Sequence, residues 1–167
     1  APISTGSAAL INNVYFSGID GSRRAGLHFL GGSMGTVHNC IFNHACIRVE
    51  TWDVKIDKVY IWAMSCDFGI GIFNVGNTTL TNVDIVPPLQ SNPNGIAGVM
   101  TSGPTLNVKM SDIYLDGNPT LVCRKGIYIG PSAGAILMQN INANRMDADC
   151  IVIDSAYNVV LNGYSGY

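Results

Sequence analysis

The amino-acid sequence predicts an all-β fold, a parallel β-helix of about six to seven rungs, and three interleaved repeats carry that prediction. A tetrad of polar, apolar, any and apolar residues recurs as Asn13-Val14-Tyr15-Phe16, Asn39-Cys40-Ile41-Phe42, Lys58-Val59-Tyr60-Ile61, Asn82-Val83-Asp84-Ile85, Asp112-Ile113-Tyr114-Leu115 and Asn140-Ile141-Asn142-Ala143. Asn162-Gly163-Tyr164-Ser165 is a weaker seventh copy. A second series runs Gly26-Leu27-His28-Phe29, Cys46-Ile47-Arg48-Val49, Gly69-Ile70-Gly71-Ile72, Gly126-Ile127-Tyr128-Ile129 and Cys150-Ile151-Val152-Ile153. A third comprises Val54-Lys55-Ile56, Val108-Lys109-Met110, Ile136-Leu137-Met138 and Val159-Val160-Leu161. Three short strands per unit of about two dozen residues wind into a coil whose rungs stack ~4.8 Å apart.

Taken in order, each strand is a short run rich in β-branched residues, bounded by Gly, Pro, Ser, Asn or Asp. The first unit opens at Asn13 and crosses a long connection, Ser17 to Ala25, to the strand at Gly26. The second and third units have short connections. In the fourth, Val86 to Asn94 carries Pro87, Pro88 and Pro93, and the second-series strand is blurred around Gly95 to Met100. In the fifth, Asp116 to Lys125 carries Pro119 and Arg124. These two excursions leave neighbouring rungs, so they are expected to form one wall, the usual place for binding on a repeating scaffold. Lys125 to Ile153 then holds one complete turn. A β-sandwich is the alternative, but Asp20-Gly21, Asn94-Gly95 and Asp116-Gly117 do not fall in hairpin register.

Composition agrees with a coil that buries an extended core. Apolar residues make up 47% of the chain and charged residues 12%, against roughly 25% charged in ordinary soluble domains. The 19 glycines interrupt any helical periodicity. A formal net charge of −2 gives no footprint for nucleic acid or an anionic membrane surface, and no apolar run reaches a membrane span of ~18 residues. Cys40, Cys46, Cys66, Cys123 and Cys150 lack metal-ligand spacing and read as reduced thiols in the core. The repeat runs from Leu10 to Tyr164 without a convincing cap, so residues 1–167 read as a single β-helix segment, expected to be part of a longer chain or a subunit capped by its neighbours.

Asn at the head of the first series suits a tight bend, where it caps backbone groups and tolerates left-handed geometry. Stacked rung on rung, Asn13, Asn39, Asn82, Asn140 and Asn162 are expected to form an amide ladder, with Lys58 and Asp112 as departures.

Outward positions of such a coil form columns. The first series gives Tyr15, Ile41, Tyr60, Asp84, Tyr114, Asn142 and Tyr164; the second gives His28, Arg48, Gly71, Tyr128 and Val152. Tyrosines beside Asp, Asn, His and Arg suit sugar rings, whose C–H faces pack on aromatics while hydroxyls find polar partners. Tyr60, Asp84, Tyr114, Arg124 and Tyr128 are therefore the expected substrate-binding residues. Asp147 and Asp149 flank Ala148 and point to one side, roughly 6–7 Å apart, near the lower end of the acid–base separation in inverting glycosidases. Lys125, one rung earlier, would pair with Asp149 and hold its pKa low, which opposes a general-acid role. Asp112 and Asp116, beside the two long connections, are the other catalytic candidates. No convergent oxygens mark a calcium site and no His spacing marks a metal, so neither cofactor nor metal is expected.

These repeats resemble the right-handed parallel β-helix of the pectin-lyase-like superfamily over about Leu10 to Gly163. Asp149-Cys150-Ile151-Val152-Ile153 is similar to the end of the polygalacturonase G-D-D-C-I-A-I signature, with Ala148 in place of the first carboxylate and Lys125 where an aspartate is expected one rung earlier. The low charge, abundant Gly and Asn, and outward aromatics look more like a bacteriophage tailspike or capsule depolymerase. That resemblance implies a homotrimer on the virion tail that binds and cleaves host surface polysaccharide, as a glycosidase or a lyase. A secreted pectin-degrading or polygalacturonan-degrading enzyme and a non-enzymatic β-helical adhesion segment are the alternatives.

Overall fold

The computed structural model describes residues 3–5, 8–18, 26–118, 120–146 and 148–166. Among them there is no helix. The strands are β1 (Ile3–Thr5), β2 (Ala9–Asn12), β3 (Tyr15–Ser17), β4 (Leu27–Asn43), β5 (Ile47–Trp62), β6 (Phe68–Phe73), β7 (Thr79–Val86), β8 (Ala97–Ser102), β9 (Leu106–Asp116), β10 (Lys125–Ile129), β11 (Gly134–Asn144), β12 (Ile151–Ile153) and β13 (Tyr157–Gly166).

Every paired strand is parallel to its neighbour, and the path β12-β10-β8-β6-β5-β7-β9-β11-β13 winds through the molecule. The chain is a right-handed parallel β-helix of about six turns. Antiparallel hairpins, the requirement of the sandwich, are absent among the described strands. The three sequence repeats are its three faces. Leu27, Ile47, Ile70, Val99, Ile127 and Ile151 align on the first face. Val37, Ile56, Leu80, Met110, Met138 and Leu161 align on the second. Val59, Val83, Ile113 and Ile141 align on the third. The blurred fourth copy resolves as β8, whose Val99 and Thr101 point inward.

Two columns of left-handed residues set the corners. Between the second and third faces, φ is +57° at Asn13, +52° at Asn39, Lys58 and Asn82, +56° at Asp112 and +51° at Asn140. Between the first and second, it is +70° at Met34, +58° at Asp53, +55° at Asn77 and Asn107, and +53° at Ala135 and Asn158. Left-handed geometry costs an ordinary L-residue roughly 1–2 kcal/mol, least for Asn and Asp, whose short side chains bond locally. One such residue bends the strand while the ladder hydrogen bonds continue on either side, which is how β5 turns two corners without ending.

The amide ladder exists in pieces. Asn39 Nδ2 donates to Asn13 Oδ1 at 2.5 Å and Asn140 Nδ2 to Asp112 Oδ1 at 3.1 Å. Lys58 interrupts it, and Asn82 turns instead to Asp57 Oδ1 at 3.1 Å. A second ladder, Asn107 to Asn77 at 3.3 Å, runs on the other corner. The seventh position of the first column is Gly163, with φ +79°, and not Asn162. Gln139 pairs with Asn162 and Ile141 with Tyr164, so the expected register of the last copy is off by one. Tyr164 therefore stacks on the inward column, and Ser165 takes the outward place beside Asn142.

The core is filled by Leu27, Phe29, Phe42, Ile47, Ile56, Ile61 and their rung neighbours, all fully buried. Phe16 and Phe42 stack face to face with centroids 4.3 Å apart. Each such side chain stabilises the fold by about 1.5–3 kcal/mol of transfer free energy. Cys40, Cys46, Cys66 and Cys123 are buried, and none of the five cysteines forms a disulfide. Cys46 and Cys66 lie against each other, and their contact together with burial pushes the Cys46 thiol far up.

The third corner, from the third face back to the first, carries the variable connections. Residues 87–96 and 117–124 do form one wall. Leu89 and Cys123 make an antiparallel bridge, and Gln90 N–H donates to the Val122 carbonyl at 2.8 Å. The Arg124 guanidinium donates to the carbonyls of Gln90 at 2.9 Å and Asn92 at 3.1 Å. Most of the first-unit connection, residues 19–25, lies outside the described residues, as do Pro119 and Asp147.

Candidate functional site

The outward surface of the third face brings aromatic and acidic side chains together. Its central column is Tyr15, Ile41, Tyr60, Asp84, Tyr114, Asn142 and Ser165, each one rung from the next. Alternation along each strand places a second column two residues on: Ser17, Asn43, Trp62 and Val86, with Asp116 and Asn144 continuing it. The tied loops rise directly beyond this second column.

Asp84 occupies the middle. Tyr60 precedes it on one rung and Tyr114 follows on the next. Its Oδ1 is buried and has no hydrogen-bond partner among the described residues. Burial, and then the nearby charge of Asp116, pushes the Asp84 carboxyl above the ordinary carboxylate range. Asp116 is held by Asn144, whose Nδ2 donates to Asp116 Oδ1 at 3.1 Å. Burial, followed by Asp84 and Asp116, raises the Tyr60 hydroxyl, so it remains a neutral donor. Two carboxylates in unlike environments, one poised toward its protonated form, are the pattern of an acid–base pair. Next to them lies an open groove of about 390 Å³ lined by Asp112, Tyr114, Asn140, Asn142, Tyr164 and Ser165.

The remaining expected site residues divide. Asp112 sits at the corner, where its Oδ1 accepts from Asn140 and continues the ladder. Asp149 is exposed, two residues before β12. It forms no ion pair with Lys125, contrary to the sequence expectation. The Lys125 ammonium instead lies 5.2 Å from the Tyr128 ring centroid, a cation–π contact. Arg124 is committed to loop carbonyls. Tyr128 stands on the first face, its hydroxyl donating to Asp154 Oδ2 at 2.9 Å; that bond, more than burial, raises it.

That first face carries its own charge cluster. Glu50 accepts from Arg48 Nη2 at 2.6 Å and meets His28 Nε2 at 2.7 Å. Arg48 is the main cause of the low Glu50 pKa, with burial opposing it and His28 adding to it. The Arg48 guanidinium also lies 4.3 Å from the Phe73 ring, which fills the space left by Gly71. The cluster is internally satisfied, and satisfied ion pairs of this kind hold a sheet face together.

Among the described residues, no group of His, Cys, Asp and Glu is arranged to hold a metal ion. Among the same residues no helix is long and apolar enough to cross a membrane.

No protein-family model matches the chain, and no curated protein matches it. Solved structures do. Full-length tailspike protein 2 from an Escherichia coli O157:H7 bacteriophage superposes with a TM-score of 0.75 over 94% of this chain, at 20% identity. The chain resembles a segment of a phage tailspike. The enzymatically active domain of tailspike protein 2 from bacteriophage CBA120 gives a TM-score of 0.69 over 94% of the chain, at 18% identity. The chain spans 21% of the full-length tailspike and 24% of that domain. At these identities the tailspike likeness concerns the path of the coil, while the side chains of the third face are this chain's own.

Three features of the site were not singled out from sequence: Asp84 as the perturbed carboxyl, Asn144 as the anchor of Asp116, and Trp62 in the same outward column as Asp116. The repeat itself held the signal for the last two, since both stand two residues after an outward position.

Proposed function

We propose that the chain is one β-helix segment of a longer phage tail protein, and that its third face binds and cleaves host surface polysaccharide. The observation that supports this most directly is Asp84: a buried, unpartnered carboxyl oxygen beside Asp116, between Tyr60 and Tyr114 on a continuous polar and aromatic column. In the reaction proposed, a glycan lies across the column with sugar C–H faces on the tyrosines. Asp84 delivers its proton to the glycosidic oxygen as the bond to the leaving sugar breaks. Asp116, oriented by Asn144, acts as the second carboxylate and takes a proton from the attacking water. The Tyr60 hydroxyl donates to a sugar oxygen.

The tailspike likeness supports a virion-tail location and an assembly of several copies, with a homotrimer the expected state. Leu30, Met34 and Trp52, all well exposed near the first corner, provide apolar surface for such assembly.

The test is to incubate the intact protein with purified capsular and O-antigen polysaccharides, that of Escherichia coli O157:H7 included, and to size the products. Defined oligosaccharides, lost in Asp84→Asn and in Asp116→Asn with binding kept, are expected. Cleavage that survives both changes would place the chemistry elsewhere. Binding without cleavage would leave an adhesion segment.

A further inference from the structure

We infer that Trp62 is a second sugar-binding platform of this surface and that it receives a neutral pyranose ring. The inference rests on the third face being the glycan-binding surface.

Trp62 ends β5 with 39% of its surface exposed, an unusual position for the largest apolar side chain in the absence of a partner. It is fixed there. Its indole N–H is directed at the Met64 sulfur, and the His44 ring lies beside it with centroids 6.4 Å apart and planes 29° from parallel. His44 is itself tied to Ser65 Oγ at 3.0 Å. An indole has only two side-chain torsions and, flanked by His44, loses little conformational entropy on binding, the property that makes aromatic platforms effective.

Its surroundings define the ligand. Tyr60 is two residues earlier on the same outward side of the strand. Val86, buried, is one rung on and Asp116 two rungs on in the same column, roughly 10 Å along the coil axis. Asn43, one rung back, offers an amide whose Nδ2 already donates to the Tyr15 hydroxyl at 3.0 Å. A ring stacked on Trp62 therefore belongs to the same glycan as one held between Asp84 and Asp116. With Asp84 as the proton donor, Asp116 is the carboxylate of the two outward columns, and neither column holds a Lys or Arg, so a uronate or sulfated sugar at this point meets the Asp116 charge with no cation in either column. A neutral sugar with an unbroken C–H face is the class that fits.

The experiment compares the intact protein with Trp62→Ala and Trp62→Phe. Binding of a neutral O-polysaccharide is measured by calorimetry, and oxidation of each tryptophan by N-bromosuccinimide is followed by peptide mass spectrometry. The expected result is an affinity loss of tenfold or more in Trp62→Ala, partial recovery in Trp62→Phe, and protection of Trp62, but not Trp52, by bound glycan. A glycan that binds the native protein with Trp62 unprotected and Trp62→Ala unimpaired would overturn the platform while leaving the third face as the site. Equal protection of Trp62 by polygalacturonate would overturn the neutral class. No binding of any polysaccharide by the native protein would overturn both this inference and the proposed function.

Discussion

Asn144 stands one rung beyond Asp116 and donates its Nδ2–H to the Asp116 carboxylate at 3.1 Å. Parallel stacking places these two side chains within reach because the same strand position recurs on successive turns, and the hydrogen bond fixes which way the carboxylate faces. Asn144→Ala is expected to lower the rate of polysaccharide cleavage about tenfold or more while leaving the affinity nearly unchanged. The split is measured as kcat against KM. A fall in affinity alone would assign Asn144 to ligand contact.

The raised Asp84 carboxyl carries a stability consequence. The folded state favours its protonated form, so folding is assisted below the ordinary carboxylate value of 3.8 and opposed as pH rises through the folded pKa. Asp84→Asn removes the burden of a partly buried charge. Its Tm is expected to exceed that of the native protein at pH 7 and to match it near pH 3, by scanning calorimetry at both values. If Asp84 is the proton donor of the proposed reaction, the same variant is expected to lose cleavage, read by sizing the polysaccharide products.

Ala135 holds φ +53° in a column where Asn107 precedes it and Asn158 follows. It has neither the local hydrogen bonding of Asn nor the freedom of Gly. Ala135→Asn relieves a strained alanine and completes the amide ladder, with an expected gain of about 1 kcal/mol. Chemical denaturation with an unchanged m-value measures it, and equal or lower stability would count against the ladder as a stabilising device.

Tyr114 is 50% exposed and contributes little to the core. Tyr114→Ala is expected to weaken glycan binding roughly tenfold with Tm shifted by less than a few degrees, an effect of the size a stacked aromatic contributes. Unchanged affinity would remove the central column from the site.

The coil was legible because burial in a stacked strand obeys simple alternation. Leu27, Ile47 and Ile70 announce an inward column without any knowledge of their contacts, and the Asn at each bend announces its corner. The last rung slipped because Asn162-Gly163 offers two residues that suit a left-handed bend; the apolar Val159 and Leu161 before them fix the choice through pairing with Ile136 and Met138. The site was legible as a face and not as a mechanism. Tyr60, Asp84 and Tyr114 fall in one column by spacing alone, whereas the perturbation of Asp84 depends on burial and on Asp116 in the adjoining rung. Lys125 and Asp149 do occupy the same place on successive rungs, but a long flexible ammonium chooses among several partners, and here an aromatic ring took it.

The corner between the second and third faces is turned by a single left-handed residue on each rung, while the third corner accepts connections of very different length on the same three-faced coil. The cross-section is thus independent of what hangs from that corner. Grafting a different connection between Val86 and Ala97, or between Asp116 and Lys125, is expected to change what the adjoining face recognises without disturbing the winding. Such a fold is built to diversify: its loops can change along one seam while the coil that carries them stays the same.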